Sequence, residues 1–222
     1  MTSSSPFSTS YNHQSASPPS LDTGDFPYLI EAVLAGRGMK ISVTETRFQD
    51  QLSSKGYGEK EDSEYLLKPY EALYLIYAKR LVLKGKRDNN LNLESLMELS
   101  LKYDKDILTK FLIYRDLRSR GYIAKEGFGF GVDFRVYERG EFEKKPSKYI
   151  VFGISEGIDM KANDFSTAIE QIGIMGKEAV IAVIERRGGI IYYKVSKTRF
   201  TENKNKQQSD NNNNSDINAN RI

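Results

Sequence analysis

The densest concentration of reactive side chains in this 222-residue chain lies between Tyr114 and Tyr149. Arg115, Arg118, Arg120, Arg135 and Arg139 fall there, and together they form a candidate phosphate-contacting cluster. Asp116, Glu126 and Glu138 dilute it, and most charge clusters are solvated faces. Asp133 followed by Glu143-Lys144-Lys145 weakly mimics an arrangement in which two carboxylates bind magnesium. That layout needs its second carboxylate on a strand, whereas residues 138–147 read as a polar loop. The single histidine, His13, stands in a serine-rich tail. Histidine is the usual acid or base at neutral pH, so a core without one does its proton chemistry with other groups or does none. There is no cysteine, hence no disulfide, thiolate metal site or cysteine nucleophile. No metal and no cofactor is expected.

The elements that would position these groups differ between the two halves of the chain. Residues 27–34 alternate weakly and read as a strand, and Lys40–Val43 is short and β-branched. Residues 44–55 read as a helix ended by Gly56 and Gly58. A further helix starts near Lys68, with Pro69 in its first turn. Residues 91–103 and 107–121 also read as helices. After Gly121 the pattern turns to strands: residues 122–124 and Val132–Tyr137 flank the glycine-rich run Gly127-Phe128-Gly129-Phe130-Gly131, and another strand covers 149–154. Residues 163–176 form a helix with an apolar stripe of Phe165, Ala168, Ile169 and Ile172, capped by Gly176. Glu178–Ile184 and Ile190–Val195 are strands joined around Arg187-Gly188-Gly189. The front half thus reads as mainly helix with a little strand, and the back half as a small α/β unit.

Composition bounds the rest. The apolar fraction of 39% supports a packed core, and a net charge of +3 permits a nucleic-acid partner without demanding one. No apolar run approaches the roughly 20 residues of a membrane span, and the N-terminus has no secretory apolar core. The expectation is a cytoplasmic protein with no membrane contact. Residues 1–25 hold eight serines and three of the six prolines, and residues 201–222 are equally polar, so both read as disordered tails. The division expected is a tail over 1–25, an N-terminal domain over 26–106, a C-terminal domain over 107–200 and a tail over 201–222.

Two motifs in the dense block, Tyr114-Arg115-Asp116-Leu117-Arg118-Ser119-Arg120-Gly121-Tyr122 and Gly131-Val132-Asp133-Phe134-Arg135-Val136-Tyr137, resemble those of the archaeal tRNA-splicing (tRNA-intron) endonuclease family. Lys55-Gly56-Tyr57-Gly58 with Leu67-Lys68-Pro69-Tyr70-Glu71-Ala72-Leu73-Tyr74-Leu75, then Tyr149-Ile150-Val151 and residues 179–193, extend the resemblance over about 45–200. It implies a two-domain α/β (α+β) fold: a mixed helix/strand N-terminal domain and a small mixed-sheet, nuclease-like C-terminal domain. It also implies metal-independent RNA cleavage leaving 2′,3′-cyclic phosphate and 5′-hydroxyl ends. A base takes the 2′-hydroxyl proton, a cation steadies the phosphorane and an acid protonates the leaving oxygen. By resemblance, the tyrosine position is Tyr137 and the lysine position is Lys177. The histidine of H-x-x-Y-[LI]-V falls on Pro146, which cannot donate a proton.

The resemblance therefore implies a non-catalytic structural subunit. Its partners would be a catalytic homologue, in an α2β2 heterotetramer, and precursor tRNA. The RNA-contact candidates are Arg115, Arg118, Arg135 and Arg139. The subunit-interface candidates are Ile190, Ile191, Tyr192, Tyr193 and Val195 on the last strand, because an exposed apolar strand needs cover. Two plainer readings stand beside these: Tyr137 as a half-buried strand residue, and Lys177 as a cation favoured by a helix C-terminus. Two alternatives for the whole chain are an endonuclease weakly active by itself and a winged-helix-like DNA-binding protein, with 107–121 as the recognition helix.

Overall fold

In the computed structural model the described residues are 27–35, 38–85, 89–129, 132–155 and 162–198. The expected tails over 1–25 and 201–222, with His13, lie outside them, as do Phe130 and Gly131 of the glycine-rich run. The architecture is α/β with one mixed sheet in each half, as expected.

The front half contains β1 (Ile30–Ala35), β2 (Lys40–Val43), α1 (Thr46–Ser53), β3 (Glu59–Glu61), β4 (Glu64–Leu67), α2 (Pro69–Tyr77), β5 (Leu81–Lys84), β6 (Asn90–Leu91) and α3 (Leu93–Leu101). Its sheet has the order β3-β4-β2-β1-β5-β6, with β1 and β5 parallel. The expectation of mainly helix is thus corrected: four strands, β3 to β6, went unread. The reason is local. The β3–β4 hairpin is rich in Glu and Lys and buries only Tyr65 and Leu67, so it carries the composition of a loop. β5 follows α2 so closely that its leucines extend the helix's own apolar run.

The back half runs α4 (Ile107–Ser119), β7 (Ile123–Gly129), β8 (Val132–Tyr137), β9 (Tyr149–Ser155), α5 (Ala162–Ile174), β10 (Glu178–Ile184) and β11 (Ile190–Val195). The sheet order is β11-β10-β9-β8-β7, and only β9 and β10 pair in parallel, with α5 as their crossover. One face lies on α4 through Ala124, Phe134, Val136, Val151 and Ala182; the other lies on α5 through Ile150 and Phe152.

Helix α4 joins the halves. Ile107, Phe111, Ile113, Tyr114 and Leu117 are buried, and the helix contacts α2 and α3 as well as β7, β9 and β10. A single apolar cluster runs from Ile30 to Ile184. At its centre Tyr114 meets Tyr70, Tyr74 and Phe134, with ring centroids 5.0, 5.7 and 5.9 Å away. A helix covered on both sides cannot enter a major groove, which removes the winged-helix alternative.

Charged contacts close the same junction. The Arg118 guanidinium lies 3.9 Å from the Tyr57 ring centroid and donates to the Lys55 carbonyl at 3.0 Å. Lys125 from β7 donates to the Gly58 carbonyl at 2.7 Å and stands 3.9 Å from the buried Glu71 carboxylate. Glu71 accepts the Gly58 and Lys68 amides at 3.1 and 2.9 Å. Burial raises its pKa, and Lys125 opposes the rise. Both backbone polar atoms of one residue, Gly58, are thus held by buried ionisable side chains, and Gly58 has φ +66. No helix among the described residues is long and apolar enough to cross a membrane.

Candidate functional site

Sheet register assembles the three motif positions. Val136 pairs with Tyr149, and Tyr149 pairs with Glu178. The Lys148 amide donates to the Val136 carbonyl, and the Glu178 amide to the Lys148 carbonyl, at 3.0 and 2.9 Å. Continuing that register by one residue puts Tyr137, Lys148 and Lys177 in one lateral row at the ends of β8, β9 and β10. Pro146 and Ser147 are immediately upstream of the middle member.

Tyr137 is half-buried, its ring meeting Phe142 edge to face at 5.1 Å. Phe142 belongs to the 138–148 loop, which turns through hydrogen bonds from Glu141 to Glu138 and from Lys145 to Glu141. Glu138 accepts from Lys148 at 2.6 Å and from Tyr149 at 3.3 Å. Pro146 is exposed while Ser147 beside it is buried.

Lys177 follows the end of α5. Gly176 turns the chain with φ +67, and the Lys177 amide donates to the Ile172 carbonyl at 3.1 Å. Its ammonium does not sit on the helix's last carbonyls. It reaches thirty residues back, to the Ser147 carbonyl at 2.5 Å and the Ser147 hydroxyl at 2.9 Å. Its pKa is held below the ordinary lysine value by burial and by the field of Arg135. The arrangement therefore offers a phenol, a lysine with neutral oxygen partners and a serine hydroxyl. At position 146 it offers a proline, which does not titrate.

The four arginine candidates go to different neighbours. Arg115 lies over Tyr77 and Phe111, at 5.7 and 5.9 Å from the ring centroids. Arg118 is turned inward onto Tyr57, so its guanidinium is committed to the junction between the halves and is not offered to a phosphate. Arg135 donates to the Glu126 carbonyl at 3.0 Å and is 3.9 Å from Glu59. Arg139 is exposed, 5.2 Å from the Tyr122 ring centroid.

The magnesium-site reading loses its geometry. Asp133 accepts the Gly153 amide at 2.6 Å near the start of β8, whereas Glu143 is in the loop beyond that strand's far end. Burial raises the pKa of Asp133. Among the described residues no cluster of His, Cys, Asp or Glu could hold a metal ion.

The interface candidates occupy the edge of their sheet, since β11 has only β10 beside it. Ile190, Ile191, Tyr192 and Val195 are half-buried, and Tyr193 is 51% exposed. Lys125 is not singled out by the sequence. The glycines of Lys55-Gly56-Tyr57-Gly58 were the available signal for Lys125's partner, because such spacing marks close backbone approach.

Comparison with known proteins bears on both halves. Residues 107–192 match the model of the tRNA intron endonuclease catalytic C-terminal domain, and residues 30–97 match that of the tRNA intron endonuclease N-terminal domain. The chain is 34% identical over 143 residues to a tRNA-splicing endonuclease of Methanococcus vannielii, covering 64% of this chain and 81% of the relative. It is 34% identical over 148 residues to that of Pyrococcus furiosus, covering 66% and 84%. For that of Thermococcus onnurineus the figures are 35% over 153 residues, 68% and 87%.

Proposed function

Because the chain belongs to the tRNA intron endonuclease family, we propose that it is the structural subunit of a tRNA-splicing endonuclease. In this reading it supports metal-independent excision of introns from precursor tRNA by a histidine-bearing catalytic partner, in a cytoplasmic α2β2 heterotetramer. One observation carries the reading. The site row keeps Tyr137 and Lys177, but the segment beside them presents Pro146, and the side chain that meets Lys177 is the serine hydroxyl of 147. A lost general acid costs about 10²–10⁴ in rate. Arg135 and Arg139 remain the RNA-contact candidates, with Arg115 secondary and Arg118 set aside. β11 is the proposed subunit edge, with Ile190, Ile191, Tyr192, Tyr193 and Val195 at the contact. The boundary between the proposed domains falls at 106/107, where α4 begins.

The test is cleavage of an intron-bearing precursor tRNA by the purified chain, by a histidine-bearing homologue, and by their mixture. Activity confined to mixtures, with ends carrying cyclic phosphate, is expected. Rapid cleavage by the lone chain that Tyr137→Phe abolishes would sink the structural-subunit reading. Slow cleavage by the lone chain, abolished in the same way, would instead favour the second reading, an endonuclease weakly active by itself.

A further inference from the structure

The outer edge of β11 is held in place by a three-residue clamp on its inner face. Tyr192 is opposite Ala182 on β10, which is fully buried, so the Tyr192 ring points toward α4. There its hydroxyl donates to Asp116 Oδ2 at 2.8 Å. Arg120, at the end of α4, grips the same carboxylate with two hydrogen bonds, from Nε at 2.7 Å and from Nη2 at 3.2 Å. The Arg120 guanidinium also stands 5.7 Å from the Tyr192 ring centroid, which closes the triangle. The far end of the strand region is tied separately, by Lys194 to Glu178 and by Lys197 to Glu170, each at 3.0 Å.

We propose that Asp116, Arg120 and Tyr192 are positioning residues for subunit assembly: they hold β11 straight and in register so that its open edge takes up the equivalent strand of a homologous chain. This rests on the assembly reading above. The physical ground is that strand addition needs an edge already ordered; an edge ordered only on binding subtracts its ordering entropy from the affinity. Edge strands that must stay unpaired are usually shortened, bulged or given inward charges. β11 has six residues and no proline, and its clamp adds order in place of protection.

The experiment uses the full chain mixed with its histidine-bearing homologue. Tyr192→Phe removes one hydroxyl and keeps the ring. Asp116→Asn keeps the shape and weakens both grips. Tyr193→Asp, on the strand's other face, is the control for the edge itself. Tyr192→Phe and Asp116→Asn are expected to leave the isolated chain folded, to speed exchange of the β11 amides, and to raise the Kd of the mixed complex about tenfold. If Tyr193→Asp breaks the complex while neither clamp variant changes the Kd or the exchange, the clamp inference is overturned and the edge reading survives. If Tyr193→Asp also leaves the complex intact, both fall. Should Asp116→Asn not fold, Tyr192→Phe alone decides.

Discussion

At the scale of single residues, the proposed role turns on position 146. A tyrosine and a lysine stand in one lateral row at the ends of β8 and β10, with β9 between them, and residue 146 just upstream of β9 is no imidazole. Pro146→His is therefore expected to give the isolated chain cleavage of precursor tRNA at least about 10²-fold above the unmodified chain. Tyr137→Phe in that background should remove the gain; absence of any gain would mean that more than the proton donor has been lost. Lys177 makes a pH prediction. Its folded pKa is below the unfolded value of 10.5, so between the two the unfolded chain binds more protons and stability rises with pH. Lys177→Met should flatten that rise in urea denaturation series taken up to about pH 10.5, and an unchanged slope would contradict the burial assigned to this ammonium. The position of Lys177 could be read from its place after Gly176. Its partner could not, because Ser147 is thirty residues away and only the parallel register of β9 and β10 brings it close.

At the scale of elements, legibility followed the punctuation. Val132–Tyr137, Glu178–Ile184 and Ile190–Val195 have the bounds expected from sequence, because each is an apolar, β-branched or aromatic run between glycines and polar turns. The β3–β4 hairpin was hidden, because a short strand with one solvated face can be built from Glu and Lys. The loop before that hairpin looked like a helix stop and is also a contact surface. A Cβ at Gly58 would come within 2.5 Å of the Tyr65 ring and 2.9 Å of the Leu66 carbonyl, at a positive φ. Gly58→Ala is thus expected to cost roughly 3 kcal/mol, from steric overlap and backbone strain together. Thermal melts would check this, and a Tm within a degree of the unmodified chain would refute the close approach.

At the scale of the whole molecule, the two sheets share one apolar cluster and one buried charge network. Lys125 is the cation of that network nearest Glu71. Removing it leaves the buried Glu71 with two backbone amides and the weaker field of Arg118, so Lys125→Met is expected to destabilise the chain by about 3 kcal/mol. If the junction couples the halves as described, guanidinium unfolding followed by far-ultraviolet dichroism and by tyrosine fluorescence should give one coincident transition before and after the substitution. Two separated transitions would show that the halves are independent. The sequence points to a boundary near residue 106, between the helices expected over 91–103 and 107–121. It could not show that Tyr114, just past that point, has Tyr70 and Tyr74 from before it and Phe134 from after it as its nearest aromatic neighbours.

That arrangement around Tyr114 restricts what can be inherited separately. A gene segment encoding only α4 and the second sheet would translate into a product with Tyr114, Phe134 and the Arg118 guanidinium bared to water. It would depend on a chaperone or a surrogate cover to stay in solution. Recombination between such genes is therefore expected to be tolerated best at crossover points outside both sheets.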